Sequence, residues 1–380
     1  MLLTAGLLSV LAHAAWGQDS TQVKQAPTAM PTAQAIKSCM KEARSAECLD
    51  LLFREPLRTH STLEALQYVA RLEATDAELW RDCHPVVHAI GRETFLQKGS
   101  IHDSFAACDQ TCHSGCYHGS VERFLRGDAL YARSGEHPSQ WELRQKAATA
   151  CDPKQPPRLY YQCLHGLGHA IMFFAGYNLG NALDVCDALE DNWSQNSCYG
   201  GVFMENVVNG ANEKDNFSPT DYHVPCNRVD VKYRRECFGM QTSRMIAMGL
   251  SPERIFEECA KAGDFGMICA RSLGRDLSNE SRLGDHRAVA RKCELAAGDS
   301  RRACIRGVTN ALADNTWDGK YALPFCAALS SAADQADCFK DSQQYMRTNF
   351  ELSPRDFTVE CSRYAPASER CSASVAQRPG

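Results

Sequence analysis

The chain has 380 residues, a net charge of −5 and a pI near 6.2. A chain of this length can bury a substantial core. Its net negative charge provides no basic surface field, which excludes electrostatic recruitment of nucleic acid or of an anionic membrane surface. The composition includes twenty cysteines, an even number at fairly regular spacing. Cysteine used this heavily predicts disulfides, which persist in an oxidising compartment.

The N-terminal segment predicts export. Residues 1–17 contain an apolar run followed by small residues, and Ala12-His13-Ala14 fits a cleavage site. The run is too short to cross a bilayer, and no later stretch approaches eighteen apolar residues. We therefore expect a signal peptide over residues 1–17 and a flexible leader, rich in Thr, Pro, Ala and Gln, over residues 18–35. The expected product is secreted or periplasmic and has no membrane span.

The second half of the chain is organised by paired cysteines. The first cysteine of each pair recurs every 33 to 40 residues, a period typical of solenoid repeats. Around each pair the apolar spacing predicts a helix, a short turn such as the polar segment 191–196, and a second helix. We expect one cysteine late in the first helix and one at the start of the second. The pairs are Cys151/Cys163, Cys186/Cys198, Cys226/Cys237, Cys259/Cys269, Cys293/Cys304, Cys326/Cys338 and Cys361/Cys371.

This organisation resembles the Sel1-like and tetratricopeptide class of α-hairpin repeats, in particular the disulfide-bonded Sel1-type proteins of bacteria. The resemblance covers about Cys151 to Cys371 and is one of architecture. It implies an all-α fold, a right-handed α-hairpin solenoid with one disulfide per repeat, and it implies no activity. We assign residues 36–180 to a His-rich helical region and residues 181–375 to the disulfide-stapled repeats.

The cysteines of the first half leave two interpretations open. Cys39/Cys48 looks like an earlier copy of the repeat pair, and Cys108/Cys116 resembles a shortened one. Cys83 and Cys112 remain, and each is followed directly by a histidine. A Cys83–Cys112 disulfide would hold those two histidines near each other, whereas free thiolates would be ligands for copper or zinc. The oxidising compartment favours the disulfide.

Three segments of the first half carry metal-ligand side chains four residues apart. Residues at this spacing lie on one face of a helix, close enough for both side chains to reach one ion. Imidazole suits zinc, copper, iron and nickel, and a carboxylate widens the choice. The three pairs each begin one or two residues after a cysteine and are His84/His88, His118/Glu122 and His165/His169.

Two observations separate these pairs from chance. Later repeats hold Gly200, Gly239, Arg271, Arg306 and Lys340 at the equivalent position, so the scaffold does not require histidine there. In all three segments the ligand-type pair also faces away from the main apolar stripe. Matching faces of successive hairpins would line one surface. Glycines within these segments indicate either close approach of a neighbouring helix or loose packing.

The sequence therefore predicts a transition-metal site (copper, iron or zinc) in a secreted or periplasmic metalloprotein, which would be a redox or hydrolytic enzyme if catalytic. Glu122 would be a ligand or a general base for a metal-bound water, and Glu205 a further acid or an exposed carboxylate. The alternative is a solenoid scaffold that binds peptide, glycan or protein partners on its surface without catalysis. The predicted ligands are His84, His88, His113, His118, His165, His169 and Glu122.

Overall fold

The structure, a computed structural model, describes residues 28–127, 138–210 and 216–371. In these ranges the chain forms α-helices and one short 3₁₀ helix and contains no strand, which confirms the all-helical prediction. The predicted signal peptide and much of the predicted leader lie outside the described residues. Within the leader range, the first helix already begins at Ala33, where the Thr32 hydroxyl accepts a hydrogen bond from the Ala35 amide.

The helices of the first half contain all three histidine segments. In chain order they are α1 (Ala33–Met40), α2 (Ser45–Thr59), α3 (Thr62–Glu73), α4 (Ala77–Asp82), α5 (His84–Lys98), α6 (Ile101–Ala107), α7 (Thr111–Arg126), α8 (Gln140–Ala150) and α9 (Pro157–Phe174).

The helices of the second half are arranged so that shorter helices separate the long helices α11, α15, α17 and α19. In chain order they are α10 (Leu179–Cys186), α11 (Asn192–Asn209), α12 (Val231–Phe238), α13 (Gln241–Ala247), α14 (Pro252–Ala260), α15 (Gly266–Arg282), α16 (His286–Glu294), α17 (Gly298–Thr316), α18 (Ala322–Ala328), α19 (Ala332–Phe350) and α20 (Pro354–Tyr364).

Ten disulfides are present, and they join every pair that the spacing predicted. Cys83 and Cys112 are also bonded to each other, and the described residues contain no free cysteine. Thiolate ligation by these two residues is therefore ruled out in this state. The other nine bridges are Cys39–Cys48, Cys108–Cys116, Cys151–Cys163, Cys186–Cys198, Cys226–Cys237, Cys259–Cys269, Cys293–Cys304, Cys326–Cys338 and Cys361–Cys371.

The second cysteine is the seventh residue of its helix in five pairs, so the prediction that it marks the helix start is wrong for Cys163, Cys198, Cys237, Cys304 and Cys338, whereas Cys269 lies in the first turn of α15. Cys198 is an example, because α11 begins at Asn192, within the segment expected to be a turn. The Asp191 carboxylate causes the early start by accepting hydrogen bonds from the Trp193 and Ser194 amides. The Cys186–Cys198 bridge consequently ties the end of α10 to the body of α11.

Glycines let three pairs of long helices pack with their backbones in contact. In each pair, a glycine on either helix faces a backbone carbonyl of the other helix. In α5/α7, a Cβ on Gly91 would lie 2.0 Å from the Cys116 carbonyl oxygen, and one on Gly119 would lie 2.0 Å from that of His88. The α9/α11 pair repeats this with Gly168 and Gly201, and α15/α17 repeats it with Gly274 and Gly307. Only glycine fits such contacts, which confirms close approach as the role of Gly119 and Gly168.

The first-half helices also contact helices far along the chain. Arg282, at the end of α15, donates a hydrogen bond to the Trp80 carbonyl oxygen at 2.9 Å, and its guanidinium lies 4.0 Å from the Trp80 ring centroid. The Arg158 guanidinium lies 5.1 Å from the Trp317 ring centroid. The His-rich region and the later hairpins therefore pack together. Their winding as a right-handed solenoid with one disulfide per repeat stays a prediction.

Two findings bear on the environment of the protein. Within the described ranges, every helix is too short or too polar to cross a bilayer. The ten disulfides indicate an oxidising, extracytoplasmic environment, because thiols of cytosolic proteins are kept reduced.

Candidate metal centre

Helices α5, α7 and α9 bring the predicted histidines together. The ring centroids of His84 and His118 are 5.4 Å apart, and those of His118 and His165 are 5.6 Å apart. His88 lies 5.6 Å and His169 lies 5.3 Å from His118, again between centroids. The five rings thus form one continuous cluster, in which His118 is the middle member. We refer to these five residues as the histidine cluster.

Small residues on α7 and α9 make this proximity possible. A Cβ on Gly115 would lie 3.0 Å from Nδ1 of His84 and 2.9 Å from Cδ2 of His88. A Cβ on Gly166 would lie 3.0 Å from Cα and Cδ2 of His118. Both distances are shorter than an ordinary contact, so a larger residue at either glycine would displace a ring of the cluster.

The backbone at the start of α7 is unusual. Cys112, His113 and Ser114 have φ values of 49°, 58° and 64°, in the left-handed region that residues with a Cβ seldom adopt. This turn aims the Cys112 carbonyl oxygen at His84, whose Nδ1 lies 2.7 Å away. Conformational strain of this kind persists only where the surroundings hold it, and here the Cys83–Cys112 bridge does so.

The hydrogen-bond partners of His84 and His88 leave two lone pairs facing each other. A carbonyl can only accept, so Nδ1 of His84 carries the proton and Nε2 has the lone pair. Nδ1 of His88 lies 3.5 Å from a carboxylate oxygen of Glu122, which favours a proton on that Nδ1 too. The two Nε2 atoms are 3.0 Å apart. Two nitrogens bound about 2.1 Å from one tetrahedral ion lie about 3.4 Å apart, so the pair is close to ligand geometry.

A proton between the two Nε2 atoms is the competing explanation, and the electrostatics oppose it. It would make His88 a buried imidazolium if Nδ1 kept its proton, or would leave the lone pair of Nδ1 facing the Glu122 carboxylate if it did not. Burial lowers the pKa of His88, and this effect outweighs the opposing attraction of Glu122. Burial and the neighbouring His88 also lower the pKa of His84 well below its usual value. Both imidazoles are therefore neutral, the form that binds a metal ion.

His118 adds a third nitrogen to this group. Nitrogens of His84, His88 and His118 all lie within 4.8 Å of one another. The His118 ring is buried, its Nε2 lies 3.1 Å from Oε1 of Gln162, and its Nδ1 has no hydrogen-bond partner among the described residues. Burial lowers the pKa of His118, and the other histidines of the cluster lower it further. A buried, neutral nitrogen without a partner is costly unless something else binds it.

Glu122 lies behind His88 and not among the Nε2 atoms. Arg92 donates to its Oε2 at 2.7 Å, and Arg126 lies 3.6 Å from its other oxygen. Burial alone would raise the pKa of Glu122, but Arg92, His88 and Arg126 together lower it. The carboxylate is thus ionised, bound on both oxygens and positioned to orient the His88 ring, the usual arrangement of a carboxylate beside a metal-binding histidine.

The other predicted residues lie at the edges of the cluster. The His113 ring centroid is 6.4 Å from that of His84, and burial together with Arg282 lowers its pKa to about 3. The nitrogens of His113 are not within the three-histidine group. Glu205, predicted as an acid or an exposed carboxylate, is half-buried and accepts a hydrogen bond from Nδ1 of His169 at 2.9 Å.

Sequence reasoning missed the groups that support the cluster. Arg92 is buried between Asp50 and Glu122 and bonds to both. Gln162 and Met204 also contact cluster nitrogens. The sequence did indicate the position of Met204, because Met204 follows Cys198 by six residues, as Glu122 follows Cys116.

A second group of ligand-type side chains comprises Glu73, Cys83 and Cys112. The two sulfurs are bonded to each other, so neither is available to a metal ion. Comparison of the chain with protein-family models, with curated proteins and with solved structures found no match.

Proposed function

We propose that this protein is a secreted or periplasmic metal-binding protein that holds a copper, iron or zinc ion between His84, His88 and His118. The observation that carries the proposal is the 3.0 Å approach of the Nε2 atoms of His84 and His88, whose Nδ1 atoms both face acceptors. An ion between them turns a repulsive contact of lone pairs into two bonds. It also gives the buried His118 ring a partner.

The neighbouring groups support this assignment. Metal-binding histidines usually donate their second N–H to a carbonyl or a carboxylate, which fixes the tautomer and the ring orientation. The Cys112 carbonyl has this role for His84, and Glu122 has it for His88. We propose that Glu122 is an orienting residue in place of the ligand or general base that the sequence suggested. Three histidine ligands leave a coordination position for water or a substrate, as in catalytic zinc sites.

The test is the metal content of untagged protein produced in an oxidising compartment. Elemental analysis is expected to find about one ion per chain in the three-histidine site after reconstitution with zinc, copper or iron. His84→Ala combined with His88→Ala should lose that ion. The matched control removes two histidines outside the cluster, His60 and His102, and should retain it.

Equal metal content in the two double variants would contradict the proposal. So would the absence of bound metal from wild-type protein after reconstitution with each of the three ions. The second result would favour the alternative of a binding scaffold whose histidines are structural. Circular dichroism of each variant establishes that a loss of metal does not reflect a loss of helical structure.

A further inference from the structure

Met204 lies beside the second histidine pair at a position that the repeat defines. It follows Cys198 by six residues on α11, as Glu122 follows Cys116 by six residues on α7. The reciprocal glycine contacts of α9/α11 and α5/α7 have the same register. Met204 therefore occupies, in the second helix pair, the place that Glu122 occupies in the first. A thioether has replaced a carboxylate there.

Two donor atoms approach Nε2 of His165 at this place. Nε2 of His165 lies 3.3 Å from Nε2 of His169 and 3.4 Å from Sδ of Met204. Nitrogen and sulfur ligands bind metal ions at about 2.0–2.1 Å and 2.3 Å, and donor atoms that share one ion at these lengths lie about 3.3–3.8 Å apart. The two histidines are buried, and Met204 is partly buried.

A hydrogen-bonded carboxylate fixes the orientation of His169. Nδ1 of His169 donates to Oε2 of Glu205 at 2.9 Å, so its Nε2 has the lone pair. The Tyr177 hydroxyl donates to the other oxygen of Glu205 at 3.0 Å. His169 thus has the same support as His84 and His88, an acceptor that holds Nδ1–H and turns Nε2 toward a neighbouring nitrogen.

We propose that His165, His169 and Met204 form a second metal site, adjacent to the three-histidine site, which takes copper(I). The choice of ion follows from the thioether, a soft and uncharged ligand that favours copper(I) over hard divalent ions. The local charge agrees, because the Arg275 guanidinium acts electrostatically on His165 and a monocation is repelled less than a dication. The proposal extends the proposed function from one ion to two, with His118, a ligand of the first site, next to the second.

The experiment loads metal-free, full-length protein with copper(I) under anaerobic conditions in the presence of a competing copper(I) chelator. Wild-type protein should bind two ions, and His165→Ala combined with His169→Ala should bind one. X-ray absorption of the copper should show a sulfur neighbour at about 2.3 Å. Met204→Leu should remove that neighbour and weaken the second copper(I) by about tenfold or more. The control is Met346→Leu, which alters a buried methionine of α19.

The outcomes separate this inference from the proposed function. A single ion that is lost in the His84/His88 double variant and retained in the His165/His169 double variant overturns the second site and leaves the first. A single ion with the opposite pattern supports the soft site and contradicts the first. An unchanged sulfur signal and affinity in Met204→Leu overturns the thioether ligand, and wild-type protein that binds no copper(I) overturns the proposal altogether.

Discussion

The Nδ1–H of His84 donates to the carbonyl oxygen of Cys112 at 2.7 Å, and Cys112 is bonded through its sulfur to Cys83, the residue before His84. The hydrogen bond and the bridge form a closed ring that fixes the tautomer of a proposed ligand. Cys112, the first of three consecutive left-handed residues, belongs to this ring. The disulfide is therefore part of the site as well as of the scaffold.

Replacement of this disulfide should weaken metal binding as well as stability. Cys83→Ser combined with Cys112→Ser is expected to lower the free energy of unfolding by about 3–4 kcal/mol, from the loop that the bridge closes. Metal affinity should fall by about 10- to 100-fold, because the Cys112 carbonyl is no longer held against His84. Denaturant unfolding and a metal-competition titration measure the two effects.

The control for that prediction is the removal of a bridge outside the cluster. Cys326→Ser combined with Cys338→Ser should cost a similar stability, about 3 kcal/mol, and leave metal affinity unchanged. Equal affinities in the two double variants would show that the Cys83–Cys112 bridge acts on the scaffold alone.

Acidification should destabilise the metal-free protein through His113. Burial first, and then Arg282, lower the pKa of His113 to about 3, whereas the unfolded value is near 6.5. A depressed pKa means that the unfolded state binds more protons, so stability is complete above pH 6.5 and is lost as the pH falls toward 3. At pH 5 the loss should be about 2 kcal/mol relative to neutral pH.

The comparison that isolates His113 uses His113→Asn at each pH. Burial raises the pKa of Glu73 to about 7, so this carboxyl has the opposite effect on stability between pH 4.5 and 7. The effect of Glu73 is present in both proteins and cancels in the difference. Identical pH dependence of wild type and His113→Asn would contradict the prediction.

Gly201→Ala should be strongly destabilising, although alanine favours helix. The new Cβ would lie 2.0 Å from the His165 carbonyl oxygen, so α9 and α11 would have to separate. We expect a loss of about 3 kcal/mol or more. Gly180→Ala is the matched control, because the nearest heavy atom to its Cβ is 3.6 Å away, and it should gain up to about 1 kcal/mol. Thermal unfolding of both variants tests the contrast in sign.

Arg92→Leu should cost about 3–5 kcal/mol, because it leaves Asp50 and Glu122 as buried carboxyls without their common partner. Arg306→Leu breaks a pair with Asp341 whose side chains are 52% and 37% exposed, and it should cost less than about 1 kcal/mol. Chemical denaturation at neutral pH compares them. Similar losses in the two variants would show that Arg92 is not the centre of a buried network.

The cysteine spacing predicted much of the fold, because a local bridge needs only a helix, a turn and a second helix. The clustering of His84, His118 and His165 followed from a shared helical phase, which the structure realises as three adjacent rings. Contacts between distant segments could not be predicted in this way. The contact of Arg282 with Trp80 depends on how successive hairpins are oriented, and no local pattern encodes that angle.

Predictions from local backbone propensity and from side-chain polarity also failed where a tertiary contact outweighed them. The left-handed turn at residues 112–114 contains no glycine and no asparagine, so propensity gave no reason to expect it. Arg92 is charged, yet it is buried, because two carboxylates from other helices surround it. Both exceptions adjoin the histidine cluster.

The connectivity of the bridges also constrains the order in which the chain can be oxidised. Along most of the sequence each cysteine is bonded to the next one, so pairing in order of emergence during synthesis produces the native bond. Cys83–Cys112 and Cys108–Cys116 are the exception, because the cysteines of these two bridges alternate along the sequence. Sequential oxidation would join Cys83 to Cys108 and Cys112 to Cys116 instead. Maturation of the segment that carries His84 and His118 thus requires either delayed closure or a thiol-exchange catalyst.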